Sequence, residues 1–228
     1  MTAHNRIGTS FEECFPALGH RVPLRPGTWT LLAEIRQNSS TSLSADAFLG
    51  RIEEGRLHEV IRVWTSVNVS GEKQRYGAML RHDNELYRVV EQDEESGGQS
   101  AWIIKNVVPW PWKEFHDLTT GITHLEALAG ERMAQMGTDL PEDFLVTQFV
   151  LREPSKFLQV SYYVSPTVGH PAASSPGAYT SWQHSGFAPL NIRRNLDKFT
   201  FFQGVVAWSA SWWPQIKSCF QDFHSEGF

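Results

Sequence analysis

Cysteine is scarce in this 228-residue sequence, which has only Cys14 and Cys219 and contains no CxxC pair. Two thiols are too few for a disulfide framework or a cysteine zinc site. Two alternatives stay open for them. They are either two unrelated reduced thiols or one disulfide, Cys14 to Cys219, which would tie the N-terminal arm to the last helix in an oxidising compartment.

An excess of positive charge is also lacking. Lys and Arg number 20 against 25 Asp and Glu, which gives a formal net charge of −5 and a pI near 6.0. A nucleic-acid-binding protein is expected to carry a basic stripe, so nucleic acid is not an expected partner. The hydrophobic fraction of 41% and the charged fraction of 20% are typical of a globular chain.

Long hydrophobic runs are absent. The stretch between Lys198 and Lys217 is uncharged, but its Gln, Ser, Thr and Pro residues indicate a buried amphipathic helix rather than a transmembrane segment. Residues 1–19 lack the basic start, apolar centre and small-residue cleavage site of an export signal. We expect a cytoplasmic protein if Met1 is the natural start, and a periplasmic one if an export signal was removed.

Motifs for catalysis and cofactor binding are missing as well. The sequence contains no GxGxxG, GxxxxGK[ST], GxSxG or HExxH. His116 and His124 would stand more than two helical turns apart, too far to share a metal ion. Consecutive pairs such as His82-Asp83 place their side chains in different directions, so they do not form a base with its orienting acid. We expect no cofactor and no metal, and we assign no catalytic residue.

The pattern that is present predicts six strands, then a helix, a hairpin and a closing helix. Trp29, Leu31, Ala33 and Ile35 alternate with polar residues, as in a half-buried strand. Similar patterns predict strands at residues 28–36, 48–52, 57–69, 76–80, 86–90, 101–108, 144–152 and 157–164. Apolar residues at helical spacing predict a helix over 123–136 and a closing helix over 201–223, with a kink or restart at Pro214.

These elements predict one α+β domain over residues 1–228, with an N-terminal arm over 1–22 and a long irregular loop over 165–190. The expected architecture is a curved antiparallel sheet of about seven or eight strands with two amphipathic helices packed on it. The alternative is a helix-gripping, ligand-binding barrel, in which the sheet curls around the final helix.

The unusual feature of the composition is its aromatic residues, with nine tryptophans in the chain. Six of them fall on predicted strands or helices and are most simply core residues, namely Trp29, Trp64, Trp102, Trp208, Trp212 and Trp213. Aromatic side chains on loops suit recognition, because they offer rigid contact area with a polar tip. The candidate ligand- or partner-binding residues are therefore Tyr179, Trp182, His184, Trp110 and Trp112.

Three blocks of the sequence resemble a known group. Residues 23–31 resemble the opening strand of a group of uncharacterised bacterial exported proteins. The segments Phe144-Leu145-Val146 to Ser161-Tyr162-Tyr163, and Ala207-Trp208 to Phe220, resemble its central hairpin and closing helix. The resemblance implies an exported, periplasmic-type protein but no activity, so no catalytic residue is carried over from it.

The leading functional hypothesis is a non-catalytic binding module, envelope-associated, that uses its aromatic loop to hold a partner protein or small ligand. One alternative is a hydrolase-type enzyme whose site is assembled from distant residues, with His82, His116 or His184 beside a carboxylate. The other is a structural interaction protein, which would expose a large apolar patch.

Overall fold

The computed structural model describes residues 7–71, 79, 81–93, 98–107, 124–138, 144–165 and 182–223. Its strands within these ranges are β1 (Ser10–Phe11), β2 (Cys14–Ala17), β3 (His20–Pro23), β4 (Trp29–Asn38), β5 (Ser42–Glu53), β6 (Arg56–Asn68), β7 (Glu85–Asp93), β8 (Gly98–Val107), β9 (Phe144–Glu153) and β10 (Lys156–Val164). The helices within the same ranges are α1 (His124–Gln135), α2 (Pro189–Ile192) and α3 (Leu196–Gln221), and a 3-10 turn spans Trp182–His184.

Eight strands form one antiparallel sheet in the order β1-β4-β5-β6-β10-β9-β8-β7, and β2 and β3 form a separate hairpin. β1 and β7 are the two edges of the eight-stranded sheet, so the sheet is not closed into a barrel. The α+β prediction is confirmed, and the alternative of a helix-gripping barrel is wrong. The edge strands β1 and β7 lie at opposite ends of the strand order and do not pair with each other.

The helices cover opposite faces of the sheet. Successive side chains of a strand point to opposite faces, and the core divides accordingly. Leu49, Leu145 and Phe149 pack with α3, whereas Phe48, Phe144 and Val146 pack with α1. α2 joins the α3 side through Ile192. The two-helix prediction is thus confirmed, with one long helix on each face and a short third helix beside α3.

Helix α3 runs unbroken through Pro214, so the restart predicted at this residue is wrong, and a kink there stays a prediction. The helix begins after Asn195, whose side-chain oxygen accepts a hydrogen bond from the Lys198 backbone N–H at 3.1 Å. Pro214 lies on the exposed side of the helix, so water can satisfy the carbonyl that its missing N–H leaves free. A hydroxyl pair ties the helix to the sheet, with Thr147 Oγ1 2.9 Å from Ser209 Oγ.

Most predicted elements are confirmed with shifted ends. β5 begins earlier than predicted, at Ser42, and α3 begins at Leu196. The expected arm over 1–22 contains β1, β2 and most of β3. The end of the expected 165–190 loop contains the 3-10 turn and the start of α2. The predicted strand over 76–80 lies, apart from Met79, outside the described residues.

Candidate functional site

A pocket of about 320 Å³ lies on the α3 face of the sheet, between the N-terminal half of α3 and one end of the central strands. The strand register builds its floor. Glu59 on β6 is paired with Arg51 on β5 and with Val164 on β10, so the three residues form one row across three strands. Because residues opposite each other in a sheet share a face, the row points its side chains toward α3.

The polar wall of the pocket is a buried carboxylate shared by two arginines. Arg25 Nη1 lies 2.5 Å from Glu59 Oε1, and Arg51 Nη2 lies 3.4 Å from the same oxygen. The Glu59 side chain is only 9% exposed. Burial raises the pKa of the Glu59 carboxyl, and the two guanidinium groups partly offset that rise. Glu59 thus lies within ion-pair distance of two guanidinium groups at a desolvated position.

Arg51 is placed by close packing against a glycine. Gly27 has φ +125°, and a Cβ built on it would come within 2.8 Å of Arg51 Cδ. Any other residue at position 27 would strain the backbone and push the arginine aside. Arg51 Nη1 also donates to Glu53 Oε1 at 2.8 Å. Its Nε is buried and has no hydrogen-bond partner among the described residues.

The apolar wall is provided by α3, chiefly by Trp208 and Phe201. The Arg25 guanidinium carbon lies 4.8 Å from the centre of the Trp208 ring, a cation–π contact that joins the two walls. Trp208 in turn packs edge-on against Tyr162, with ring centres 5.2 Å apart. Tyr162 is itself fixed, because its hydroxyl donates to the Pro23 carbonyl at 2.6 Å and accepts from Trp212 Nε1 at 3.0 Å.

A glycine on α3 keeps the pocket open. Gly204 lies inside the helix and lines the pocket, and a Cβ built on it would meet no atom of the described residues within 4 Å. Glycine inside a helix costs about 1 kcal/mol relative to alanine. Within the described part of the chain, no close packing accounts for this glycine, and the space above Gly204 is open there.

His58 is the histidine of the pocket. Its Nε2 lies 3.8 Å from Glu53 Oε2, which is longer than a hydrogen bond. The histidines proposed for the enzyme alternative are elsewhere: His82 and His184 are exposed, and His116 lies outside the described residues. The pocket thus offers ion-pair and aromatic contacts rather than an oriented histidine base.

The candidate residues predicted from the sequence lie apart from this pocket or outside the described residues. Trp182 and His184 share the 3-10 turn, where the Trp182 carbonyl accepts from the Asn106 side chain at 2.9 Å. Tyr179, Trp110 and Trp112 belong to segments that are not described. Of the candidates that the structure describes, Trp182 and His184 lie together, as near neighbours in the chain.

Both cysteines are free thiols in the structure. Cys14 Sγ accepts a hydrogen bond from Arg21 Nη2 at 3.3 Å, and the backbone of Arg21 forms a hydrogen bond with the Cys219 thiol. Burial raises the pKa of the Cys219 thiol to about 12. Arg21 thus contacts both thiols, and a Cys14–Cys219 disulfide stays a prediction.

Arg25, Arg51 and Glu59 are not among the site residues predicted from the sequence, and Trp208 is predicted there only as a core residue. Two signals were available in the sequence. Gly204 interrupts a helix that is otherwise free of glycine, and Pro26-Gly27 follows an arginine directly. Neither signal identifies a pocket by itself, because the residues that line the pocket come from separate elements: Arg51 from β5, Glu59 from β6 and Trp208 from α3.

Two negative results concern the described part of the chain. In it, no group of three or more His, Cys, Asp or Glu side chains is placed to hold a metal ion. Among the helices within the described ranges, none combines the length and the hydropathy that crossing a membrane requires.

Comparison of the chain with protein-family models, with curated proteins and with solved structures returned no match.

Proposed function

We propose that this protein is a non-catalytic binding module that holds a small amphipathic ligand in the pocket between Glu59 and Trp208. The observation that carries the proposal is the open space above Gly204, bounded by aromatic rings on one side and by the Arg25–Glu59–Arg51 ion pairs on the other. Ligand pockets are typically apolar with a few convergent polar groups, and this one has that composition.

The energetics of the site support binding over a purely structural role. Burying charged groups costs free energy, and well-packed apolar residues of similar volume are often as stable or more so. The helical glycine at position 204 adds a cost of about 1 kcal/mol. A wall with only a structural task would need neither feature. Both are useful where a molecule enters from solvent and must be oriented.

The 3-10 turn, with Trp182 half-buried and His184 exposed, is a second candidate surface, for a protein partner. Buried Asn106 fixes the backbone of Trp182 through the hydrogen bond to its carbonyl, and His184 lies two residues further on. A fixed backbone lowers the entropy that binding would cost. Replacing Trp182 and His184 with alanine tests this surface, since partner capture by that variant at the wild-type level would remove it.

The pocket is tested by filling it. A fragment library is screened by ligand-observed NMR against the wild type, Gly204→Leu and the matched control Gly204→Ala. Both substitutions improve helix propensity, so neither is expected to unfold the chain. We expect fragments that bind the wild type and Gly204→Ala but not Gly204→Leu. If no fragment shows this dependence on residue 204, the proposed function is wrong.

A further inference from the structure

We propose that the ligand of this pocket is a small organic monoacid, whose carboxylate meets Arg51 and Arg25 and whose planar apolar body lies in the open space beside Gly204, next to Phe201 and Trp208. This inference rests on the proposed function, and it adds the chemical class of the ligand. Four features carry it: the charge of the lining, an unused arginine donor, the aromatic wall and the size of the cavity.

The charge of the pocket lining favours an anion. Its charged residues are Arg25, Arg51 and Glu59, which sum to 2 − 1 = +1 with His58 neutral. The whole chain carries −5, so the pocket is a local exception to the acidic surface. Glu53 also contacts Arg51, but its side chain is 51% exposed. Its charge is therefore largely screened by water.

Arg51 has a hydrogen-bond donor that no described residue of the protein uses. Arg51 donates to Glu53 from Nη1 and approaches Glu59 through Nη2, while its Nε is buried without a partner among the described residues. A buried donor without an acceptor costs about 1–3 kcal/mol. A carboxylate supplies two acceptor oxygens that match the planar fork of a guanidinium group, so a bound acid can relieve that cost.

A cation fits the same walls poorly. The face of Trp208 toward the polar wall already carries Arg25, whose guanidinium carbon lies 4.8 Å from the ring centre. Glu59, the carboxylate that a cation would need, is already shared by two arginines. A doubly charged phosphate would exceed the single positive charge of the lining and would stand beside buried Glu59. One negative charge is the complement of this site.

The apolar half of the pocket sets the shape of the ligand. Phe201, Val205 and Trp208 on α3, together with Val164 at the end of β10, form a surface next to the open space above Gly204. A volume of about 320 Å³ is at the small end of ligand pockets, which run from roughly 300 to 1,000 Å³. The ligand is therefore of the size of a single aromatic ring with a short acidic side chain.

The test compares three probes of equal shape and different charge: phenylacetate, phenylacetamide and phenethylamine. Their affinities are measured by calorimetry at pH 7 for the wild type, Gly204→Leu and Arg51→Gln. We expect the wild type to bind phenylacetate at least tenfold more tightly than the amide or the amine. Gly204→Leu should lose that binding, and Arg51→Gln should lower the affinity for phenylacetate to that for phenylacetamide.

Each other outcome overturns the inference. If the amide or the amine binds as tightly as the acid, or if none of the three binds while other fragments require Gly204, the ligand is not a monoacid, and the proposed function still stands. If Arg51→Gln keeps the preference for the acid, the Arg51 guanidinium group does not bind the carboxylate. A melting temperature for Arg51→Gln close to that of the wild type shows that its loss of affinity is local, and Arg51→Lys, which keeps the charge without the fork, should retain part of the preference.

Discussion

The Arg25 guanidinium carbon lies 4.8 Å from the centre of the Trp208 ring, at the point where the ion pairs of the sheet meet the aromatic rings of α3. Arg25 precedes β4, and Trp208 lies halfway along the last helix, so the contact exists only in the folded chain. The backbone of Arg25 is held in place as well, because the buried Trp29 indole N–H donates to its carbonyl at 2.8 Å. The Arg25 guanidinium group and the Trp208 ring are therefore already in contact in the free protein, at one side of the pocket.

The ion pair at Glu59 should be needed for stability. Glu59→Gln removes the negative charge that two arginines share at a buried position, and a broken buried pair leaves charge uncompensated. We expect the free energy of unfolding in urea to fall by about 1–3 kcal/mol. The matched control is Glu53→Gln, at a half-exposed carboxylate, which should cost less than about 0.5 kcal/mol. Equal losses for the two variants would contradict the burial argument.

Gly204 should lower the stability of the protein relative to alanine at the same position. Gly204→Ala places a methyl group in open space and removes backbone freedom from the unfolded chain. We expect it to raise the free energy of unfolding by about 1 kcal/mol. A loss of stability would show that the space above Gly204 is filled in the free protein.

His20 should make the protein less stable in mild acid. The ring is buried against Phe220, its Nδ1 lies 3.3 Å from the Cys219 carbonyl, and its Nε2 has no partner among the described residues. Burial lowers the pKa of His20 from 6.5 to about 4, with nearby Lys156 adding to the effect. Because the unfolded chain binds this proton more readily, stability is complete above pH 6.5 and is lost as the pH falls toward 4.

We expect the free energy of unfolding to fall by about 3 kcal/mol between pH 6.5 and pH 4. This figure is the difference between the two pKa values of His20, 6.5 and about 4, at 1.36 kcal/mol per pH unit. The measurement is urea unfolding at intervals from pH 4 to pH 7 for the wild type and His20→Phe. The phenylalanine variant should lose less stability across this window than the wild type does. His82→Phe, at an exposed site, is the control for removing any histidine. Identical pH profiles for the wild type and His20→Phe would refute the role of His20.

Tyr162 should fix the aromatic wall through its hydroxyl. Tyr162→Phe leaves the Pro23 carbonyl and Trp212 Nε1 without their shared partner, at a cost of about 1–3 kcal/mol in unfolding free energy. Tyr87→Phe, at a residue that is 39% exposed, is the control and should change stability by less than about 0.5 kcal/mol. A Tyr162→Phe protein as stable as the wild type would show that water replaces the hydroxyl.

The two cysteines should differ in reactivity. Cys14 is partly exposed, whereas Cys219 is buried and burial raises the pKa of its thiol to about 12. Titration with a thiol reagent at pH 8 should therefore find one fast thiol in the folded protein and two in the unfolded protein. Cys14→Ser should abolish the fast reaction. Zero thiols in the unfolded chain, purified without reductant, would instead establish the Cys14–Cys219 disulfide.

Local patterns predicted the large elements of this fold. The alternation from Trp29 to Ile35 identified β4, and the Pro154 turn identified the β9–β10 hairpin, because both signals lie within a few residues. The β2–β3 hairpin was missed. Its turn has two residues with positive φ, Leu18 at 42° and Gly19 at 82°. Asn, Asp or Gly is usual at the first of these positions, so leucine there does not predict a hairpin turn.

The pocket was not predictable in the same way. Arg51, Glu59 and Val164 form a row only because β5, β6 and β10 pair in one register, and a shift of one residue would turn the row to the other face. Sequence patterns give strands but not their order or register. Trp208 fits a helical core pattern whether it borders a cavity or fills one, so its second role depends on Gly204 and on the strand row opposite.

The most direct test of the binding pocket follows Trp208 itself. The chain has nine tryptophans, so a ¹H–¹⁵N spectrum shows nine indole N–H signals, and the Trp208 signal is assigned from Trp208→Phe. Phenylacetate is then titrated into the wild type, Gly204→Ala and Gly204→Leu. The account predicts that the Trp208 signal moves in the first two proteins and stays in place in Gly204→Leu. A Trp208 signal that stays still in the wild type, or moves equally in all three proteins, would contradict it.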